Sequence, residues 1–452
     1  MIEGQPDMSS YSSPVRTIPK LKTTANQEIT WQEDNQRVVL KGGRIIDPAN
    51  KVDAISDVAY KNGIIQICAE TIKTEPGDRI LDCTGLIVIP GLIDMHLHLG
   101  DLFDVYESPI LKAAKDGVTL GLSPGAGNTF MTPALLGAEV DRGLPLNVGV
   151  YLGGSAVLGS SMDTQDLITL FNGQSEDKLL AQKLSRNAVT NSTAHLTIGI
   201  KDHMGHFILP DETIEKLYQI TSKAGLVFMS HTQDPEHARR MVHLSKGRPL
   251  HLGHATAAGC GTHADGSVGM AEVIGLLDHE MITAEFVSSM LLESRGRSDG
   301  MKIVPHAQEL AYKALQSGKV DIIVSDGQSG STMKGFGNTR DNIPCIFTLA
   351  KLGVLPLLSA VAAMTCNPAR LLSQRTGNPY FRNKLGHLAP GALASITVAD
   401  PHSQEAVYTI VNGRIVAFDG NLVRGSFSAG GLVSKFGMSM RIGVGDLTLY
   451  GN

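Results

Sequence analysis

The 452-residue chain has few cysteines, few aromatic side chains and little net charge. Its five cysteines are an odd number and lie far apart, which argues against a disulfide framework and fits a reducing compartment. Aromatic residues make up 5%, which leaves no stacking platform for single-stranded nucleic acid. With a formal net charge of −5 and no basic run, the sequence predicts no nucleic-acid partner.

Long apolar runs are missing as well. No stretch approaches the length needed to span a bilayer, and the N-terminus lacks the apolar segment of a signal peptide. We therefore expect a cytoplasmic protein without a membrane partner. The 42% of hydrophobic residues and the 49 glycines are typical of a globular protein with many tight turns. The length predicts one large domain beside a smaller one.

The chain divides into three kinds of segment by sequence pattern. Residues 1–35 are polar and rich in Ser, Thr and Pro, which predicts a loosely ordered arm. Short β-type runs separated by turn signals occupy 36–91 and return over 385–452, which predicts one small sheet domain built from both chain ends. Over 92–384, short apolar strands alternate with helical stretches about eight times. This repetition predicts an α/β fold, a closed (β/α)8 TIM barrel.

Two histidines stand one residue apart in "DMHLHLGD", directly after the apolar run "LIVIPGLI". Side chains alternate between the faces of a strand, so His96 and His98 would point the same way and could hold one ion. An H-x-H pair also arises by chance in a chain with 15 histidines. On its own, the pair therefore indicates packed core histidines as much as metal ligands.

Other ligand-type side chains follow further predicted strands, at the strand end where barrel enzymes place their catalytic residues. With roughly 30 residues to a barrel repeat, Lys201 falls about three repeats after His98 and thus on strand four. His231 follows on strand five, His254 on strand six and Asp326 on strand eight. The H-x-H pair of strand one is therefore part of an ordered set.

The ordered set of His-x-His, Lys, His, His and Asp resembles the amidohydrolase superfamily, in particular its members with two metal ions. The resemblance extends over nearly the whole chain and implies that the sheet domain built from both chain ends is a β-sandwich. It includes "PGLIDMHLHLG" at the first barrel strand and "LGHLAPGALASITVAD" at the return to the sandwich. It implies two divalent metal ions, for which imidazole and carboxylate donors favour zinc. One ion would be held by His96, His98 and Asp326, and the other by His231 and His254.

The resemblance also implies how these residues act on an amide. Lys201 would be carboxylated by carbon dioxide and bridge both ions, because a bare ammonium has only donors and cannot bind a cation. A water between the ions would become the nucleophile, and Asp326 would carry its proton to the leaving nitrogen as general base and then acid. Tyr151 resembles the tyrosine with which isoaspartyl dipeptidases polarise the substrate carbonyl, although a packed core tyrosine fits nearly as well.

Some neighbouring polar residues leave alternatives open. On strand six, His254 is favoured as the ligand because it stands at the strand end, whereas His251 would pack behind the site or on the outer face. Asp202, His203 and His206 either orient the surroundings of the strand-four lysine or begin a loop.

The substrate follows less directly from the sequence. Gly100 stands where dihydroorotases have an arginine and hydantoinases usually have an acidic residue, which disfavours a cyclic amide. "SDGQSGS" after strand eight and "IGIKDH" on strand four look like isoaspartyl dipeptidases and N-acyl-amino-acid deacylases. We therefore expect an N-acyl amino acid or an isoaspartyl-type amide, with a cyclic amide as the alternative. Candidate anchors for an acidic substrate group are Arg239, Arg240 and Arg295.

Two other functional classes are disfavoured. A deaminase on this scaffold usually works with one metal and lacks the strand-four lysine, so Lys201 argues against it. A non-catalytic scaffold would have lost ligands, whereas all six are present in this chain. Barrel members of the family commonly form pairs or tetramers, so the resemblance implies a homo-oligomer that acts on a small molecule.

Overall fold

The computed structural model describes residues 22–23, 36–99, 108–124, 129–173, 180, 183–203, 208–297, 301–327, 336–423 and 429–440. Apart from residues 22–23, the predicted arm over 1–35 lies outside the described residues. The same holds for Gly100 and His206, and for most of the "SDGQSGS" stretch.

The strands are, in chain order, β1 (Lys22–Thr23), β2 (Val38–Asp47), β3 (Val52–Lys61), β4 (Ile64–Ala69), β5 (Arg79–Asp82), β6 (Ile87–Pro90), β7 (Leu92–Asp94), β8 (Val118–Ser123), β9 (Asn147–Gly153), β10 (Gly199–Asp202), β11 (Val227–His231), β12 (Leu250–Gly253), β13 (Ile282–Ala284), β14 (Phe286–Val287), β15 (Ile323–Val324), β16 (Ile396–Asp400), β17 (Glu405–Val411), β18 (Arg414–Phe418), β19 (Asn421–Leu422), β20 (Leu432–Ser434) and β21 (Gly437–Met440).

The α-helices are α1 (Pro109–Lys115), α2 (Thr132–Arg142), α3 (Gly154–Leu158), α4 (Thr164–Phe171), α5 (Ala188–Thr193), α6 (Asp211–Ala224), α7 (Pro235–Ser245), α8 (Gly266–Leu276), α9 (Pro305–Gln316), α10 (Asn342–Lys351), α11 (Leu357–Ala362), α12 (Cys366–Thr376) and α13 (Tyr380–Lys384). In the part of the chain that the structure describes, no helix combines the length and apolar character needed to cross a membrane.

Both ends of the chain contribute to the smaller domain. Its strands are hydrogen-bonded in the order β1-β5-β2-β6-β16-β17-β18-β19, with β3 beside β2 and β4 beside β3. The two ends meet where β6 and β16 pair antiparallel, from Ile396 opposite Pro90 to Ala399 opposite Ile87. Inward-facing apolar side chains such as Leu40, from β2, and Val398 share one buried core. The prediction of a β-sandwich built from both ends is thus confirmed.

Eight parallel strands form the barrel. Strands one to six are β7 to β12, each paired in parallel with the next. Strand seven consists of β13, which pairs with β12, and β14, which pairs with β15 as strand eight. A parallel bridge between Leu97 and Gly327, reinforced by the His98 N–H donating to the Gly327 carbonyl at 3.0 Å, joins strand eight to strand one. The predicted (β/α)8 barrel is therefore confirmed.

Helices pack around the barrel where the sequence carries start and stop signals. Helix α6 covers most of the predicted stretch "DETIEKLYQITSKAG" and ends at Gly225, whose φ of 60° suits a glycine. Helix α7 begins with Pro235 after Asp234, whose side chain accepts the N–H of Glu236 at 2.9 Å. These caps fix the lengths of the connections between strands four, five and six.

Alternation along the barrel strands decides which side chains face inward. In β11, Val227 and Met229 belong to the core inside the barrel, whereas Phe228 packs outward among the helices. His231 continues the inward series by two residues. In β10, Ile200 packs outward and Lys201 faces inward in the same way. Ligand-type residues at the ends of these strands therefore converge on the barrel axis.

The last described hairpin belongs to the barrel side of the molecule. Strand β20 runs parallel to β9, with Leu432 opposite Val148, and pairs antiparallel with β21. The domain boundaries stay a prediction, but this hairpin shows that the segment 385–452 does not pair wholly within the sandwich. The Lys435 ammonium of the hairpin donates to the Ala224 carbonyl at the end of α6 and to Asn172 Oδ1.

Burial lowers the pKa of Lys435 to about 8, from its ordinary 10.5. Between these two pH values the unfolded chain binds one more proton at this residue than the folded chain, so its contribution to stability rises with pH. We expect wild-type Tm to increase relative to Lys435→Met as pH is raised from about 8 to 10.5, measured by scanning calorimetry. Replacing the exposed Lys223 by methionine is the control, and an equal trend in both variants would contradict this assignment.

Candidate functional site

Three of the predicted ligands meet between strands one and eight. The Nε2 atoms of His96 and His98 lie 3.1 Å and 3.3 Å from Asp326 Oδ1. One potential ligand atom from each of the three residues lies within 4.8 Å of the others. Two imidazoles and a carboxylate at this spacing can hold a divalent metal ion.

Lys201 lies against the same group. Its Nζ is 2.7 Å from His96 Nε2, on the side of the ring that faces Asp326. The side chain is 1% exposed, although lysine is among the residues that are rarely buried. The strand-four lysine therefore reaches the centre of the cluster, as the spacing of the sequence predicted.

His254 and His231 complete the cluster. The ring centroid of His254 lies 4.8 Å from that of His96 and 4.4 Å from that of His231. The structure thus brings together all six side chains that were predicted as ligands. Phe336 packs against the His254 ring at 5.0 Å between centroids and gives this side of the cluster an apolar wall.

Two members of the cluster have an unusual backbone conformation. His254 has a φ of 39° and Asp326 a φ of 48°, in the left-handed region that residues other than glycine seldom adopt. Such strain costs about 1–3 kcal/mol per residue and is concentrated at functional sites. Its presence at two of the six side chains supports a functional role for the cluster.

The charge states of the histidines suit a metal. Burial, assisted by the neighbouring Lys201 ammonium, holds the pKa of His96 well below its usual value. Burial does the same for His254, whose ring also lies beside His231. Both rings are therefore neutral and offer a lone pair. His254 Nδ1 is buried without a hydrogen-bond partner among the described residues, which is costly unless a ligand is bound. The donor set fits a metal site.

Glu285 is a member of the site that the sequence spacing missed. Its carboxylate lies between β13 and β14 on strand seven, with Oε1 2.5 Å from His96 Nδ1 and 3.1 Å from the His254 backbone N. Oε2 lies 3.0 Å from His251 Nε2. His251 therefore lies behind the cluster, inside the barrel. The only signal in the sequence is a glutamate inside the apolar run "ITAEFV".

Asp94 is a second buried carboxylate that the sequence pattern did not predict as part of the site. Its Oδ1 accepts the backbone N–H groups of His96 and Ser325, each at 3.2 Å, and its Oδ2 lies 3.4 Å from Asn342 Nδ2. Burial raises the pKa of Asp94 to about 7, against the lowering effect of the hydrogen bonds from Ser325. Asp94 thus ties the backbone of strand one to that of strand eight beside the ligands.

Asp202 and His203 support the end of strand four. Asp202 Oδ2 accepts from the Ser230 hydroxyl at 3.0 Å and lies 2.7 Å from His237 Nε2, which links strand four to strand five and α7. His203 Nε2 donates to the Pro124 carbonyl at 2.6 Å, which links strand four to the end of strand two. These contacts favour the interpretation that they orient the surroundings of Lys201.

Tyr151 lies deeper in the barrel than Lys201, and the candidate arginines lie on α7 and after strand seven. Tyr151 is fully buried and pairs in register with Gly199, two residues before Lys201, so it sits deeper in the barrel. This position favours the packed tyrosine over the carbonyl-polarising role, which stays untested. Arg239 and Arg240 form ion pairs with Glu272 and Asp211 on neighbouring helices, and Arg295 donates to the Ile303 carbonyl. None of these contacts places an arginine beside the cluster.

Comparison with known proteins agrees with this fold. The model of the amidohydrolase family matches residues 87–420. The dihydroorotase of Geobacter metallireducens is 24% identical over 408 residues, which cover 82% of this chain and 91% of the relative. A D-hydantoinase structure superimposes with a TM-score of 0.68 and 17% identity, covering 89% of this chain and 100% of its own. The structure of the β-aspartyl dipeptidase of Fervidobacterium islandicum superimposes with a TM-score of 0.59 and 17% identity, covering 86% of this chain and 98% of its own.

Proposed function

The chain belongs to the amidohydrolase family, and we propose that it is a metal-dependent hydrolase that cleaves a carbon–nitrogen amide bond of a small molecule. One observation carries this proposal. Side chains with metal-binding atoms from barrel strands one, four, five, six and eight converge on one buried cluster, in which His96 Nε2 contacts both Lys201 and Asp326. The strand ends that supply these side chains are those at which barrel enzymes carry out chemistry.

Two divalent ions, for which zinc suits the donors, would be held by the cluster. His96, His98 and Asp326 would hold one ion, and His231 and His254 the other. When bound, the ions would activate a water as the nucleophile and polarise the substrate carbonyl.

Lys201 would bridge the two ions after carboxylation by carbon dioxide. Burial of an ammonium among neutral imidazoles costs free energy, and Lys201 is 1% exposed beside His96. Carboxylation converts the amine into an anionic carbamate whose oxygens can bind cations, which the ammonium cannot do. The position of Nζ, 2.7 Å from His96 Nε2, supports this role.

Asp326 would move the proton during the reaction. Its Oδ2 accepts the Phe336 N–H at 3.1 Å, which holds the carboxylate against the two histidines of strand one. From there it takes a proton from the attacking water and delivers it to the leaving nitrogen, as general base and then general acid.

The substrate is a linear or a cyclic amide, and both have support. Sequence features around strands four and eight favour an N-acyl amino acid or an isoaspartyl-type amide, and a β-aspartyl dipeptidase shares the fold. The dihydroorotase and D-hydantoinase relatives support a cyclic amide about equally. Gly100, on which the argument against a cyclic amide rested, lies outside the described residues. A homo-oligomer and a cytoplasmic location stay predictions.

Chelation is expected to abolish amide hydrolysis, and added zinc with bicarbonate is expected to restore it, because the nucleophile depends on the metal. Turnover would be measured on dihydroorotate and hydantoin as cyclic amides, and on β-aspartyl dipeptides and N-acetyl amino acids as linear ones. Cytosine and adenine serve as deaminase controls. Activity that survives complete removal of metal, or that is confined to the deaminase substrates, would overturn the proposed function.

A further inference from the structure

The Glu285 carboxylate accepts hydrogen bonds from two of the ligand candidates. Its Oε1 faces the His96 ring and the His254 backbone N–H, which come from strands one and six, and the side chain is fully buried. We propose that Glu285 is a positioning residue that fixes the tautomer and orientation of His96 and the backbone of His254, and thereby sets the metal affinity of the centre. This inference rests on the proposed function, since it assumes that the cluster holds metal.

The tautomer of His96 follows from the chemistry of its two neighbours. A carboxylate only accepts hydrogen bonds, so the 2.5 Å contact requires the proton of the ring to be on Nδ1. Nε2 then carries the lone pair and faces Lys201 and Asp326. The opposite tautomer would aim a proton into the centre and a lone pair at the carboxylate. Histidine ligands are commonly oriented by a carboxylate in this way.

Glu285 is itself held in place by polar side chains on the side away from the ligand cluster. Its Oε2 accepts from His251 Nε2 at 3.0 Å, and His251 Nδ1 lies 2.9 Å from the Thr283 hydroxyl. Arg375 Nη2 donates to that hydroxyl at 3.2 Å and to the Met281 carbonyl at 3.0 Å. A column of polar side chains thus runs down the inside of the barrel from the ligand cluster to α12. These contacts hold the Glu285 carboxylate in one orientation.

The contact with His254 extends the effect to the second metal position. The His254 N–H donates to Glu285 Oε1 at 3.1 Å, and the same residue has the strained φ of 39°. A charge-assisted hydrogen bond stabilises this backbone conformation. One carboxylate therefore supports a ligand of each predicted ion.

The test is Glu285→Gln, which keeps the size of the side chain and removes its charge. A glutamine has one acceptor end and one donor end, so it can match both His96 and His251 only if His251 changes its tautomer, and it then still lacks the negative charge that holds the proton on His96 Nδ1. We expect zinc affinity, measured by competition with a chromophoric chelator, to fall about 10–100-fold. We also expect the visible absorption of the cobalt-substituted protein to change, and kcat to fall more than KM rises.

Two further variants separate positioning from stability. Val398→Ala opens a cavity in the core of the smaller domain, which contains none of the ligand candidates, so it should lower Tm while zinc affinity and the cobalt spectrum stay as in wild type. His251→Gln should lower zinc affinity less than Glu285→Gln, because it acts through Glu285. If Glu285→Gln does not fold, the zinc affinity of His251→Gln is the test. An affinity equal to that of wild type would then contradict the inference.

The possible results distinguish this inference from the proposed function. If the wild-type protein holds metal and Glu285→Gln binds zinc as tightly with the same cobalt spectrum, the positioning role is wrong and the proposed function stands. If the wild-type protein holds no metal after growth with zinc and bicarbonate, both are wrong.

Discussion

Lys201→Ala is expected to lose most of its metal and to hydrolyse amides about 10³-fold more slowly than wild type. The side chain lies at the centre of the cluster, 2.7 Å from His96 Nε2, and as a carbamate it would contact both ions. The charge stabilisation that a metal ion supplies is worth several kcal/mol, and each ~1.4 kcal/mol is a factor of ten in rate. Metals per chain would be measured by elemental analysis on protein grown with zinc and bicarbonate.

The carbamate itself can be detected separately. Native mass spectrometry of wild type should show the added mass of one carbon dioxide, which Lys201→Ala should lack. Lys435→Met, at a buried lysine outside the cluster, is the matched control and should keep both the metal and the activity. About two metals in wild type and a sharp fall in the variant would support the bridged site. One metal in both proteins would exclude the bridging role and bring the deaminase alternative forward.

Asp326→Asn is expected to lower kcat by about 10²–10⁴-fold, the range that a general acid–base group contributes. The amide has the shape of the carboxylate but cannot take a proton from water and pass it on. KM should change much less than kcat, because the loss concerns the transition state. The measurement is steady-state kinetics with the metal content determined on the same sample.

A second aspartate offers a control for this substitution. Asp321 precedes strand eight and pairs with Arg370, away from the cluster. Asp321→Asn should leave kcat close to that of wild type. Equal losses in the two variants would show that the Asp326 effect is structural, and an unchanged kcat in Asp326→Asn would remove it from the mechanism.

The spacing of the sequence predicted the barrel and most of the cluster for a physical reason. All strands of a (β/α)8 barrel run in the same direction, so a ligand-type residue at the end of an apolar run falls at the same edge of the sheet. Lys201 and His231 reach the cluster by simple alternation along β10 and β11. The distance between them in the sequence was therefore sufficient to predict their proximity.

Strand six shows where such reasoning fails. His251 pairs with Met229 in register and faces inward by alternation, which would turn His254 outward. The left-handed backbone at His254, with φ at 39°, brings its ring back to the cluster. A backbone angle of this kind is not visible in composition or spacing. The choice of His254 relied on its place at the strand end.

Glu285 was missed for a different reason. Its partner His96 is 189 positions away in the sequence, and the contact depends on how closely the first and seventh strands approach each other on either side of strand eight. Strand seven is also divided at Glu285, between β13 and β14, so no continuous apolar run points to its end. The depth of Tyr151 likewise follows from the register between β9 and β10, which the sequence does not state.

The pairing of β6 with β16 has a consequence for synthesis of the chain. These strands are separated by the entire barrel, so the hydrogen bonds between residues such as Val88 and Val398 cannot form until the ribosome has translated the message as far as β16. During that time the β2–β6 part of the sheet has an open edge, and open edges promote association between nascent chains. The polypeptide therefore depends on its C-terminal strands to protect the first ones, and release before Ile396–Asp400 would yield a product prone to aggregation.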